Sequence, residues 1–175
     1  PQDPRAGGLR ASATAREKGA ASMARAQPGI LTAWQDWASG TDALVADWYN
    51  REHHAERVAV PGFLSAQRYV SVRGRPRHFI FYETKSVRTL ASAAYRARLD
   101  NPTPWTRHVM PNFRNNVRAC LRVIARTGLG RGGAVATVRF AHAEGREDAL
   151  QAWLTGTAFP DALAANGIVS AELWR

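Results

Sequence analysis

The chain is short of cysteine, lysine and methionine, with one, two and two residues in 175. A lone Cys120 excludes an internal disulfide framework and any multi-cysteine zinc or iron–sulfur centre within one chain. Set in the apolar run 117–125, it reads as a buried structural thiol rather than a nucleophile. No apolar run reaches the roughly 18 residues of a membrane-spanning helix. Arg10, Arg16, Lys18 and Arg25 break up the alanine-rich start, so no signal-peptide core is present and a cytoplasmic location is expected. Gly128–Gly133 lacks both the phosphate-loop lysine pattern and the dinucleotide-binding spacing, and reads as a linker. No full set of metal ligands stands out beyond Glu52, His53 and His54, so no metal and no cofactor is implied.

What is present is arginine, alanine and aromatic side chains. Of 24 basic residues only Lys18 and Lys85 are lysine, against 14 acidic ones, for a net charge of +10. The excess lies in residues 30–125, while 126–175 are neutral. Arg73, Arg75 and Arg77 form its densest part, a Gly/Pro turn read as a solvated hairpin tip. The aromatic positions lack a clear basic strip beside them, so a nucleic-acid partner is not expected. Hydrophobic residues at 45%, with six Trp, four Tyr and six Phe, suffice for a packed core.

Residues 1–29 are rich in Pro, Gly, Ala and Ser without hydrophobic period, and are expected to be a flexible extension in which Met23 is a candidate natural start. From residue 30 the pattern changes. The sequence predicts a strand over 30–37, a helix over 42–59 behind an N-cap at Thr41, strands over 63–72 and 77–83 joined by a turn, a helix from Ser86, a break at Asn101–Trp105, a short helix and a strand over 117–124. That order, β-α-β-β-α-β, is a ferredoxin-like α+β unit over 30–127. After the 128–133 linker, positions 134–174 repeat its first β-α-β part, with Asn166-Gly-Ile-Val-Ser-Ala echoing Pro61-Gly-Phe-Leu-Ser-Ala. A partial second copy over 134–175 is therefore expected, about 50 residues short of a duplicated fold. The sheet face away from the helices needs cover from a second subunit or domain, so a homo-oligomer or pseudo-dimer through sheet faces is expected.

Trp48-Tyr49-Asn-Arg-Glu52-His53-His54, followed by Val58-Ala-Val-Pro-Gly62-Phe63 and Arg68-Tyr69, resembles the dimeric α+β barrel superfamily, especially its EthD-like and stress-responsive members. The resemblance implies a barrel of the dimeric α+β type and places the chain in bacterial secondary metabolism. Tyr49, Glu52 and His53 match the polar part of the EthD-like helix motif, with His54 beside them.

Glu52 falls on the calculated apolar face of the first helix, where a carboxylate needs a partner. It is either a general base or the ion-pair partner of an arginine such as Arg68 or Arg57. His53 and His54 suit proton transfer, but consecutive helical residues point about 100° apart, so one of them faces the pocket. Tyr49 or Arg68 would stabilise an oxyanion, and Trp34, Trp48, Tyr82 and Trp105 would wall an apolar cavity. The function expected is acid–base chemistry of isomerase, cyclase or lyase type on a carbonyl-bearing aromatic or polyketide-like small molecule. The alternatives are a small cofactor-independent monooxygenase and a noncatalytic ligand-binding or stress-response protein.

Overall fold

A computed structural model describes residues 27–175. The expected flexible extension falls, up to residue 26, outside the described residues. Strand β1 (Gly29–Trp37) sends Ile30 and Trp34 to one face and Leu31 and Gln35 to the other, all buried, as a central strand requires. Gly29 lets it enter the sheet: a Cβ there would stand 2.6 Å from both the Thr84 hydroxyl and the Val87 backbone nitrogen.

The first helical segment runs through α1 (Asp42–Trp48), a π turn (Tyr49–His53) and α2 (His54–Val58). Thr41 holds the N-cap position without capping, because its hydroxyl donates to the Ala38 carbonyl at 2.7 Å. Strands β2 (Phe63–Val70) and β3 (His78–Thr84) pair as an antiparallel hairpin. The single helix expected from Ser86 is split. A 3₁₀ turn (Val87–Ala91) stops at Ser92, whose hydroxyl accepts the Tyr95 N–H at 3.2 Å and starts α3 (Ala93–Asp100). Thr103 caps α4 (Pro104–Val109) in the same way, with Pro104 in the first turn. Strand β4 (Phe113–Gly128), then α5 (Glu147–Trp153), a second π turn (Leu154–Ala158), α6 (Phe159–Ala164) and β5 (Ser170–Trp174) complete the chain.

The five strands form one antiparallel sheet in the order β2-β3-β1-β4-β5. This corrects the expected ferredoxin-like unit with a partial second copy in a dimeric α+β barrel. The sheet is an open α+β arrangement flanked by helices, because among the described residues its outer strands β2 and β5 pair with nothing beyond them to close it. Strand β5 meets only the far part of β4, Val123–Gly128, past the segment that pairs with β1. The strand expected over 134–140 is not formed.

The two helical segments that precede β2 and β5 share one layout. At one constant spacing Asp42 corresponds to Glu147, Tyr49 to Leu154, Gly62 to Gly167 and Ser65 to Ser170, and each copy runs α, π, α and then strand. The residues before the two helices share their backbone angles, φ −102°, ψ 3° at Thr41 and φ −101°, ψ 3° at Arg146.

Two buried clusters result. Leu31, Val45, Trp48, Tyr49, Ile80, Tyr82 and Tyr95 fill the helix side. Ile30, Trp34, Phe79, Phe81 and Val123 fill the other, where the chain supplies part of the cover itself. Arg131 lies 4.8 Å over the Phe81 ring, the Tyr69 hydroxyl donates to the Gly132 carbonyl at 3.2 Å, and Trp174 packs on Phe81 at 5.3 Å. Arg126 joins β3 to β5 through Glu83 at 2.8 Å and Glu172 at 3.0 Å. Cys120 is exposed, not buried as its apolar neighbours imply, since the strand carrying it has largely exposed side chains. Among the described residues no helix is long and apolar enough to cross a membrane.

Candidate functional site

The π turn creates the site. The His54 N–H reaches back to the Tyr49 carbonyl, a bond spanning five residues instead of four, and the widened turn draws adjacent side chains toward a common direction. Both histidines therefore face the sheet, where one was expected. His53 and His54 lie 5.5 and 5.1 Å from the Tyr49 ring and 6.2 and 5.6 Å from that of Tyr82 on β3. The Tyr49 hydroxyl accepts a hydrogen bond from Gln35 Nε2 at 2.8 Å, and the Arg68 guanidinium lies 5.8 Å over the Tyr49 ring. Arg68 also donates to Asn50 at 3.3 Å.

Two residues absent from the expected set join this group. Arg57, 6% exposed, stands 5.7 Å over the Tyr95 ring. Glu56 places its carboxylate 3.8 Å from His53 Nδ1 and 3.9 Å from Arg98. A regular helix turns Arg57 away from the sheet, and no residue type in 49–53 announces the wider turn.

Burial sets the protonation states. It pushes His53 well below the usual histidine range, with Arg57 and His54 adding to the effect, and lowers His54 to about 4 with help from Arg68. The same desolvation raises the Tyr49 and Tyr82 hydroxyls, against the Gln35 hydrogen bond in the first case. At neutral pH the site holds two uncharged imidazoles and two intact phenols beside two guanidinium groups. Such a set accepts a proton at imidazole nitrogen and offers donors to a developing oxyanion.

Tyr49, His53, His54, Trp48, Tyr82 and Arg68 are thus brought together. Glu52 is not: its Oε1 accepts from Thr103 Oγ1 at 2.6 Å, Trp48 Nε1 at 3.2 Å and Thr106 Oγ1 at 3.3 Å, so its partners are neutral donors and neither Arg68 nor Arg57. Trp105 packs at the margin of the helix-side core, with Arg51 6.0 Å above its ring. Trp34 lies on the opposite sheet face, stacked on Phe79 at 5.2 Å and donating to Thr137 at 3.3 Å. Among the described residues no three His, Cys, Asp or Glu side chains gather as a metal centre would require. In the second copy Leu154, Ala158, Phe159 and Ala162 stand where the first has Tyr49, His53, His54 and Arg57, so the polar group is not duplicated.

Comparison with protein-family models, curated proteins and solved structures finds no match. The EthD-like resemblance is corrected accordingly: no family model carries it, and the open sheet departs from the barrel it implies. The placement in bacterial secondary metabolism rested on that resemblance and falls with it.

Proposed function

We propose that the protein is an enzyme that moves a proton on a carbonyl-bearing small molecule, aromatic or polyketide-like, using its own side chains as acid and base. One observation carries this reading. His53 Nδ1, His54 Nδ1, the Tyr82 hydroxyl, Arg57 Nη1, Arg68 Nε and both Glu56 oxygens are buried without hydrogen-bond partners among the described residues. Each such group costs about 1–3 kcal/mol, so a concentration of them at one place fits a site whose partner is a ligand. In this reading His54 takes the proton, since His53 Nδ1 faces the Glu56 carboxylate at 3.8 Å. The Tyr82 hydroxyl, Arg57 and Arg68 stabilise the enolate oxygen that forms, and Glu56 orients His53.

The test is turnover of a panel of aromatic ketones and polyketide-like compounds. His54→Ala is expected to lower the rate by about 10²-fold or more, while Glu52→Gln retains most of it. Unchanged turnover in both His53→Ala and His54→Ala would remove the proposed roles. A noncatalytic ligand-binding protein is the second reading, favoured by the close packing of these rings and by two surface grooves, beside His78 and Trp153, that are lined by neither His53 nor His54. Saturable binding of the same compounds without conversion would select it.

A further inference from the structure

At one end of the sheet the loop after β1, the β2–β3 hairpin tip and the start of β4 enclose an open groove of about 710 Å³. Its acidic residues are already engaged. Asp36 accepts the Arg77 backbone N–H at 2.7 Å and the Asn115 amide at 2.8 Å, and Asp42 accepts the Arg77 guanidinium at 3.0 Å. Among the described residues its other two arginines form no ion pair. Arg114 donates only to the carbonyls of Pro111 at 2.7 Å and Phe113 at 2.8 Å, and Arg75 makes no ion pair or side-chain hydrogen bond among the described residues.

The inner wall is Trp37 and His78, stacked with ring centroids 3.4 Å apart. His78 is 2% exposed; its Nε2 stands 3.9 Å from Asp42 Oδ1, beyond hydrogen-bond reach, and neither its ring nitrogens nor the Trp37 indole N–H have a hydrogen-bond partner among the described residues. A buried N–H without a hydrogen bond is costly, and two of them beside two guanidinium groups that lack an ion pair call for an acceptor carrying negative charge. We propose that this groove binds the oxyanion group, carboxylate or phosphate, of a small molecule, with Arg75 and Arg114 supplying charge and Trp37 and His78 supplying oriented N–H donors. The groove uses none of the residues of the proton-transfer reading, and touches two of them through Trp37, which stacks on Tyr49 at 6.0 Å and lies 5.6 Å beneath Arg68.

The experiment is an NMR titration at constant ionic strength with inorganic phosphate and, separately, benzoate, following the Trp37 indole and His78 imidazole signals. Saturable shifts at both residues are expected in the wild-type protein and in Arg122→Ala, an exposed arginine of β4 outside the groove. Arg75→Ala/Arg114→Ala is expected to weaken binding by at least about tenfold. Tighter binding of benzoate assigns a carboxylate site, and tighter binding of phosphate a phosphate site. Shifts that fail to saturate, equal affinity in the double variant, or an equal loss in Arg122→Ala would each overturn the proposal. His53→Ala/His54→Ala should keep this binding whatever it does to turnover, so the two readings fail separately.

Discussion

The Trp48 indole lies nearly flat on the His53 imidazole, ring centroids 4.0 Å apart and planes 27° from parallel. One turn of the helix thus covers the imidazole presented by the next, and water is kept from one face of the ring.

Desolvation has a consequence for acid stability. Burial holds His53 well below the usual histidine value and His54 and His78 at about 4, whereas the unfolded chain takes up protons from about 6.5 downward. The unfolded state then binds more protons than the folded one over that window. The stabilisation from keeping these rings neutral is complete above pH about 6.5 and is lost as pH falls toward 4. Urea denaturation at pH 7 and pH 5 is expected to show lower stability at pH 5, and NMR titration to place the His54 midpoint near 4. A His54 midpoint close to 6.5 would contradict the buried arrangement.

Glu52 is expected to behave as an acceptor that joins helices, not as a base. Its single oxygen serves Thr103 and Thr106 of the α4 cap together with the Trp48 indole. Glu52→Ala leaves three donors without that acceptor and should cost about 1–3 kcal/mol. Glu52→Gln keeps a carbonyl oxygen in place and should recover at least half of the loss in denaturant melts. Equal destabilisation by the two substitutions would show that the carboxylate charge, and not acceptor geometry, matters there.

Gly128 closes β4 with φ +83°, and a Cβ built there would run into the Val169 carbonyl and come within 2.9 Å of the Leu163 side chain. Gly128→Ala should therefore destabilise the protein by about 1–3 kcal/mol. Amide exchange should quicken first in β5, whose Ser170 pairs with Gly128. Wild-type exchange rates in β5 would argue that the strand does not depend on this close approach.

Much of the local structure is legible in the residues. The apolar composition over 30–37 marks a strand, the Arg73–Pro76 turn marks a hairpin, and the two prolines of Asn101–Trp105 mark a break between helices, because these signals act over a few residues of backbone. The first helix is legible in its limits but not in its faces. A regular 3.6-residue period buries Ala55, Val58 and Ala59, whereas these are exposed and Tyr49, His53 and Arg57 turn toward the sheet. The extra residue in the π turn shifts every later side chain around the axis. What accompanies it is long-range: Gln35 on the Tyr49 hydroxyl, Tyr82 under both histidines and Tyr95 beneath Arg57.

The second copy divides along the same line. Its helix limits and the glycines that bound it follow the spacing of the first segment, so they are carried by local sequence. Residues 134–140 have the composition of a strand but form none, and β5 pairs with the far end of β4. Strand propensity needs an edge to pair with, and which edge lies free is a property of the assembled sheet. Composition and periodicity therefore set the α+β class, the order of elements up to β4 and the supply of His, Tyr and Arg. Packing across the sheet chose the open arrangement and brought His53 and His54 to the same tyrosine, because both depend on contacts between residues distant in the chain.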